Sequence, residues 1–576
     1  MEKRVFLAIL LSFAVLALYQ AYLAPPPPVI PSADQAPAAP PSPVTSAPAV
    51  PPAGAAAPAP DPAQEAAADT PGVQPLVADT EARRIVVETD AVRAVFSNQG
   101  ATLESWRLKH YFDHDGQPLE LVPTDLPPGS PRPFTLSTND ELLSRRLASA
   151  LFQTNQTTLA LSSEPGVLRF QYSDSSGLSA TKTFHFQPDG KPYVLSVEAS
   201  VDVNGASRPV TLEWGPALSL GYSDNGSSEI PARAILFRGG DVERIHADAL
   251  REEPRYSGQM RVAGVEEHYF MAVALPGEQS VEMEFQPLTL PVPGAAEDLT
   301  RSFVAFDVTV PAGAPTLPFY IGPKDFEVLR AVDPQLTRAI DFGIFAWLVV
   351  PLLQALKWVH GFVGNYGWSI VILTVIINLL LFPLRHRSMV SMKKMQALQP
   401  EIKAIQKRYE KYKITDPERQ KMNSEMMALY KQKKVNPASG CLPMLLMMPV
   451  LFAFYSMLQV AIEVRGAPFF GWVTDLSARD PFFIWPVLMG ATMFWQQKLT
   501  PTTMDPSQAR VFMIMPFVFT VMFLWFPAGL VIYWLTSNVM AIGQQYITNN
   551  LIAAKPAVAK TPAADAASKA SKRSKR

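Results

Sequence analysis

The run from Gly361 to Leu384 carries no charged residue, and this constrains the chain more than any other feature. Its greater part is GWSIVILTVIINLLLFPL at Gly367–Leu384, and the whole run is long enough as a helix to cross roughly 30 Å of hydrocarbon. Thr374 and Asn378 stand one turn apart and share a helix face. A polar stripe at mid-membrane costs free energy against lipid, so it should face protein or a water-filled cavity. Two readings stay open: a wetted face, or Thr374 bonding its own backbone while Asn378 bonds a neighbouring helix.

Charge decides on which side of the membrane each segment falls. Residues 24–357 hold 23 Lys and Arg against 40 Asp and Glu, a net of −17. Residues 385–434 hold 14 against 5, a net of +9, and residues 553–576 hold 7 against 1, a net of +6. Positive segments of membrane proteins stay in the cytoplasm, so the acidic block belongs on the opposite side. The single cysteine, Cys441, excludes an internal disulfide, and it opens an apolar run with no activating neighbour in view.

Lys3 and Arg4 precede the apolar stretch Val5 to Leu23. Tyr19 and Tyr22 occupy positions where cuts after Ala21 or Ala24 would need small residues, which favours an uncleaved anchor over a cleaved signal peptide. Residues 24–80 carry 17 of the chain's 55 prolines and read as a partly polyproline tether rather than a proline-motif ligand. From about Arg83 the pattern has period two. Val92, Ala94 and Phe96 alternate with Arg93 and Val95, Tyr193 to Val201 and Val304 to Val310 alternate likewise, and Pro188-Asp189-Gly190 is a turn signal. This predicts a large antiparallel sandwich. His110, Asp113, His114 and Asp115, and likewise Glu266, Glu267 and His268, have metal-ligating types but read as solvated polar clusters.

Phe342, Phe345, Leu348, Val349, Leu352 and Leu356 form a helical stripe that Pro351 interrupts. If this segment crossed, the basic block 385–434 would land outside, so it is placed flat at the outer interface. Pro383 is expected to end the central span, with Arg385 and Arg387 marking its cytoplasmic edge. Two helices then fit an antiparallel hairpin. Met392, Met395, Leu398, Ile402, Ile405 and Tyr409 stripe the first, and Thr415-Asp416-Pro417-Glu418 opens the second as a capping box. Its basic surface suits anionic lipid heads or an RNA-rich partner such as the ribosome. Uncharged runs then give a third span at Val435 to Ile462 and a fourth at Pro481 to Gln497. A last pair lies in Val511 to Ala554, folded at Pro527-Ala528-Gly529.

The expected division follows: anchor 1–23, tether 24–80, sandwich 81–324, interfacial helix 325–360, membrane core 361–552 with the hairpin at 388–434, and basic tail 553–576. The fold class is a polytopic α-helical membrane protein of six transmembrane helices, both termini cytoplasmic, with a large periplasmic all-β domain.

From Tyr366 to Leu551 the chain resembles the core of the YidC family of membrane protein insertases. The segments that carry the resemblance are MVSMKKMQALQPEIKAIQKRY, EMMALYKQKKVNPASGCLPMLLMMPV, DLSARDPFFIWPVLMGATMFWQQKLTPTT and FLWFPAGLVIYWLTSN. It extends upstream through FYIGPKDF to the acidic block, as in Gram-negative members with a periplasmic β-supersandwich, and leaves out only the tether and tail. The resemblance implies a non-enzymatic function with no cofactor, catalytic residue or metal. Hydrophobic segments of nascent proteins would enter the inner membrane through a hydrophilic groove, alone or beside the Sec translocon. It implies substrate contact at Thr374 and Trp534 and apolar contact at Leu451, Met489 and Met522. Asn378, Gln496 and Tyr533 complete the candidate groove set. The implied partners are nascent substrates, the Sec translocon, the ribosome at hairpin and tail, and anionic lipids. Most relatives carry an arginine five residues before the proline, where this chain has Asn378. The alternatives are a polar-solute transporter lined by Asn378, Gln496 and Gln497, for which no internal repeat is visible, and a carbohydrate-binding or carbohydrate-active sandwich.

Overall fold

The computed structural model describes residues 73–553, apart from 114, 124–129, 131, 163, 217, 219–231, 292–299, 314–315, 413–415, 434, 436–441 and 501–505. The expected anchor 1–23, the tether as far as residue 72, the tail beyond Ala553, His114 and Cys441 therefore lie outside the described residues. The described residues of 69–503 and 516–553 belong to one compact unit, which holds their sheets.

Period-two alternation becomes strand where it was expected. In Val194–Val203, Leu195, Val197 and Val201 are buried while Glu198 is exposed. Three sheets result. The largest runs through Pro75–Val77, Gly166–Asp174, Leu178–Phe186, Val194–Val203 and Leu317–Pro323, and continues through Phe270–Ala274, Val262–Glu266, Arg233–Arg238 and Asp241–His246. A second orders Arg255–Gln259, Ser280–Pro291, Thr300–Val310, Val210–Trp214 and Thr135–Ser137. The third orders Pro118–Glu120, Thr102–Phe112, Val92–Ser97, Arg84–Glu88 and Thr158–Ala160.

Two details differ from expectation. The end of the tether is folded, because Pro75–Val77 pairs with the edge strand Gly166–Asp174. An edge strand contributes backbone hydrogen bonds and can carry proline, so it needs no apolar pattern to announce it. The sandwich is also not wholly antiparallel, since Arg84–Glu88 pairs in parallel with Thr158–Ala160. The long excursion between them supplies the crossover that parallel pairing requires.

Both smaller sheets pack on the large one through aromatic rings. Phe96 meets Phe184 with centroids 4.7 Å apart. Phe134 lies 5.5 Å from Trp214 and 5.0 Å from Phe319. The Trp106 indole N–H donates to the Ile321 carbonyl at 3.0 Å, which satisfies the polar end of a buried ring. Lys182 occupies the core face of its strand between Ala180 and Phe184 and is fully buried. It donates to the carbonyls of Gly100, Ala101 and Phe134 at 2.9, 2.9 and 2.6 Å. Burial pushes its ammonium down to about 7.

From Ala346 onward the described residues form eight α-helices. These are α1 Ala346–Val363, α2 Tyr366–Ala397, α3 Gln399–Arg408, α4 Pro417–Gln432, α5 Leu442–Val460, α6 Ile484–Leu499, α7 Pro506–Phe523 and α8 Ala528–Ala553. Gly364 closes α1 in the left-handed region at φ +68°, and the Asn365 side chain accepts from Trp368 N at 3.0 Å to open α2. Pro383 does not end α2, which runs on to Ala397, and Pro351 does not break α1. A proline removes one backbone bond and crowds the preceding turn, but an apolar helix packed on neighbours tolerates it. The hairpin's first arm is thus the end of α2 followed by α3. Asp416 caps α4 by accepting from Glu418 N at 3.0 Å, and Lys433 reaches Glu401 across the hairpin at 2.8 Å.

Among the described residues two helices are long and apolar enough to cross a membrane, Gly343–Val363 and Tyr366–Ala397. The first includes the segment expected to lie flat. It exposes Ile344, Trp347, Trp358 and Phe362. Its Lys357 pairs with Glu463 at 3.2 Å and with Asp325 and Glu327 at 3.6 Å each.

Candidate functional site

The polar stripe foreseen on the central span is real and longer than expected. On α2, Thr374, Asn378, Arg385 and Ser388 are all buried. Their spacings of four, seven and three put them on one helix face. On α8, Tyr533, Ser537, Gln544 and Thr548 are buried at spacings of four, seven and four. The two helices pack along each other, and α8 also packs on α6. Gly490 of α6 lets the Thr520 side chain of α7 approach closely, since a Cβ there would overlap its hydroxyl.

Hydrogen bonds show how each group is held. The Thr374 hydroxyl donates to its own helix at the Ile370 carbonyl, 2.6 Å. The Asn378 amide nitrogen donates to the Thr374 carbonyl at 2.7 Å. Only the nitrogen can donate to a carbonyl, so the orientation of this amide is fixed. Its oxygen Oδ1 is buried without a hydrogen-bond partner among the described residues. The Gln544 amide bridges the helices, donating to the Asn378 main-chain carbonyl at 2.9 Å and accepting from the Arg385 guanidinium at 3.1 Å. Further along, His386 Nδ1 lies 3.1 Å from the Thr548 hydroxyl. Asn538 of α8 reaches Thr492 Oγ1 of α6 at 3.2 Å, and Gln545 reaches the Leu499 carbonyl at 3.3 Å.

Asn378 meets α8 through its main-chain carbonyl, and of the two residues expected on α8, Tyr533 is buried and Trp534 half-buried. Tyr533 stacks on Phe454 of α5 at 4.2 Å. Trp534 packs edge-on against Phe523 at 4.8 Å. Met489 is fully buried, and Leu451 and Gln496 are half-buried. Met522 is 41% exposed and is not gathered into the seam. Among the described residues the Asn378 side chain bonds no neighbouring helix; the link to α8 runs through its carbonyl instead.

Sequence reasoning missed Arg385, Gln544, Gln545, Asn538, Ser388 and Thr548. The signal was present, because Arg385 stands seven residues beyond Asn378 and α8 repeats the same spacing. An arginine just after a proline reads locally as a helix-end marker, and that reading fails once α2 continues.

The metal-type clusters of the β-domain have structural partners. Asp113 Oδ1 accepts from the main-chain N–H groups of Asp115 and Gln117 at 3.0 and 2.8 Å. Glu266 and Glu267, expected to be solvated, are instead buried, Glu266 between Arg233 at 2.7 Å, Arg244 at 2.9 Å and Lys324 at 3.3 Å, whose opposite charge offsets the cost of its burial. Burial alone would raise its carboxyl, but Lys324, Arg244 and Arg233 hold it below the usual carboxylate value. His268 stacks on Tyr269 at 4.1 Å and meets the Gln459 carbonyl of α5. Burial, reinforced by the nearby cations, pushes its imidazole down to about 4.

Comparison with known proteins covers both halves of the chain. Residues 84–355 match the family described as YidC periplasmic domain, and residues 358–555 match the family described as 60Kd inner membrane protein. The membrane protein insertase YidC of Oleidesulfovibrio alaskensis is 39% identical over 488 residues, 81% of this chain and 87% of that relative. The protein of the same name from Syntrophus aciditrophicus is 36% identical over 568 residues, 95% of this chain and 99% of that one. The one from Citrifermentans bemidjiense is 37% identical over 560 residues, 96% of this chain and 100% of that one.

Proposed function

We propose a working arrangement for this chain, which belongs to the YidC family and is a membrane protein insertase of the inner membrane with a periplasmic β-domain. Its substrates are nascent membrane proteins. They enter through the seam between α2 and α8, which acts as a hydrophilic groove. The observation that carries this reading is the row of buried polar side chains on two facing apolar helices, with Asn378 Oδ1 buried and unpaired. Thr374, Asn378, Gln496, Tyr533 and Trp534 receive the substrate's polar flank. Leu451, Met489 and Met522 receive its apolar segment.

The physical case is one of shortened desolvation. Moving an unpaired amide or hydroxyl into hydrocarbon costs roughly 2–7 kcal/mol. A polar seam supplies partners for the flank over part of that path. The apolar segment then leaves sideways into lipid, driven by its own burial. The chemistry needs no nucleotide and no metal.

In this arrangement six helices span the membrane, with both termini and the hairpin 388–434 in the cytoplasm. α1 lies at the outer interface, with its tryptophans at the headgroup level. The basic hairpin and tail meet the ribosome and anionic lipids, and the core works alone or with the Sec translocon. Protease added from the periplasmic side should cut within 24–80 and spare 385–434. Labelling of the hairpin from outside would sink the topology.

Reconstitution tests the function. Full-length protein in liposomes should convert a short single-span substrate to a membrane-inserted, protease-protected form. Empty liposomes, and liposomes with the Asn378→Leu variant, should convert much less. Equal conversion in all three would refute the groove.

A further inference from the structure

The turn that follows α5 meets a hairpin of the β-domain, and a cleft of about 610 Å³ opens between them. Its walls carry His110, Phe112 and Asp113 from the hairpin and Glu463, Arg465 and Asp475 from the loop beyond α5. That volume falls within the roughly 300–1,000 Å³ of small-molecule sites. Arg465 joins the two walls, because its guanidinium donates to the Phe112 carbonyl at 3.2 Å. The same guanidinium lies over the rings of Tyr269 and Phe270, 5.9 and 5.6 Å from their centroids.

The charges in this cleft are of two kinds. Glu463 is answered by Lys357 of α1 at 3.2 Å. Among the described residues, Arg465, Asp113 and Asp475 have no ion-pair partner. Both aspartates spend Oδ1 on their own turns. Asp113 accepts there from the N–H groups of Asp115 and Gln117, and Asp475 from the Ser477 N–H at 2.8 Å and its hydroxyl at 2.7 Å. Their Oδ2 atoms have no hydrogen-bond partner among the described residues. Phe112, 53% exposed, adds an apolar edge. The Lys357–Glu463 pair sets the cleft at the depth of α1, which in the arrangement above is the level of the outer headgroups. A guanidinium fork matches a phosphodiester. A primary ammonium has three donors and suits two carboxylate oxygens. A headgroup that holds both fits this cleft. A nitrogen without hydrogens cannot donate, and a purely anionic headgroup brings a charge that the aspartates oppose.

We propose that this cleft binds the headgroup of an outer-leaflet phospholipid that carries a primary ammonium, with the phosphate on Arg465 and the ammonium on Asp113 and Asp475. The bound lipid ties the β-domain to the membrane core beside α1. The proposal rests on the topology given above.

The test titrates full-length protein in detergent with short-chain phosphatidylethanolamine, phosphatidylcholine and phosphatidylglycerol of identical acyl chains, and with chain-free glycerophosphoethanolamine. Native mass spectrometry reads the bound fraction. Wild-type protein should bind the ethanolamine lipid about tenfold more tightly than the other two, the scale of one charge-assisted hydrogen bond. Arg465→Gln should weaken that binding by about tenfold, and the double variant Asp113→Asn with Asp475→Asn should bind the ethanolamine and choline lipids alike. Equal binding of the three lipids by wild-type protein would overturn the site, as would a preference that survives the aspartate substitutions. Glycerophosphoethanolamine bound as tightly as the lipid would overturn the membrane as the source. If Arg465→Gln is not recovered, the aspartate variant decides alone. Orientation is read separately in liposomes. Hairpin labelling from outside, with the lipid preference intact, would overturn the outer-leaflet assignment through the topology. Loss of the preference with the hairpin protected would overturn the site and leave the topology standing.

Discussion

Two buried charges, Glu266 in the β-domain and Arg385 between the helices, join different parts of the molecule. Glu266 sits among Arg233, Arg244 and Lys324, charges of opposite sign at ion-pair distance. Its field is answered on the spot, and the cluster joins the β-domain to the segment before α1, because Arg244 also donates to the Ala339 carbonyl at 2.8 Å. Arg385 is linked across the seam to the neutral amide of Gln544. The matched charges tie the β-domain to the segment before α1, whereas the bond from Arg385 to Gln544 ties α2 to α8.

The largest test of this contrast is Glu266→Gln. Removing one partner from a buried ionic cluster leaves the others desolvated and repelling, and costs about 3–5 kcal/mol. Urea unfolding of the full-length protein in detergent, followed by near-UV circular dichroism, should show that loss. Asn378→Leu, which removes one bond within α2, should cost clearly less. Equal losses would erase the distinction. The pH dependence has a definite sign. The Glu266 carboxyl is lowered in the folded state, so its contribution is present above the ordinary carboxylate value and is lost as pH falls through the folded one. Wild-type protein should therefore lose more stability on acidification than Glu266→Gln.

Asp307 sharpens the contrast from within the β-domain. Its strand neighbours place Glu213 opposite it on one side and Glu284 on the other. Burial first, then Glu213 and Glu284, push its carboxyl up to about 7 against the opposing hydrogen bond from Gln286. A raised folded value means the contribution is present below the ordinary 3.8 and is lost as pH rises through about 7. Asp307→Asn should leave the thermal midpoint unchanged near pH 4 and raise it at pH 8. A variant that shifts both equally would show that the carboxylates do not repel, and would weaken the claim that unmatched charge in this domain is a liability.

Much of this was legible before any fold was in hand, and what was not has physical reasons. Val92 to Phe96, Tyr193 to Val201 and Val304 to Val310 declared themselves because one face of each strand is buried and the side-chain period is two. The Pro75–Val77 edge strand did not, because its pairing is carried by backbone alone. Lys182 was hidden for another reason: alternation places it on the core face, but only the carbonyls of Gly100, Ala101 and Phe134, distant in sequence, make that face habitable for an ammonium. Thr374 and Asn378 could be found from one helix. Arg385 has the right spacing, but it reads as a helix-end marker until α2 is seen to run through Pro383 and Gln544 of another helix is seen to bond it.

Asn378 gives the smallest and most discriminating effect. Its side chain makes one bond, to its own helix, so Asn378→Leu should change the stability of the embedded protein by only about 0.6 kcal/mol, the average for an intramembrane side-chain bond. If the residue serves to receive a flank, insertion should nonetheless fall well beyond that, because leucine removes the buried acceptor and dries the face between Thr374 and Arg385. Asn378→Arg should be tolerated: it adds a second cation to a face that already holds one, and the family resemblance places arginine at this position. A packing role predicts the reverse, with leucine active and arginine inactive through a clash against α8. Insertion of a substrate with an acidic flank, measured for both variants at matched protein levels, separates the two. Leucine active with arginine dead would return Asn378 to the ordinary packing of two helices. Both variants fully active would leave the polar face to Arg385, Gln544 and the rest of α8.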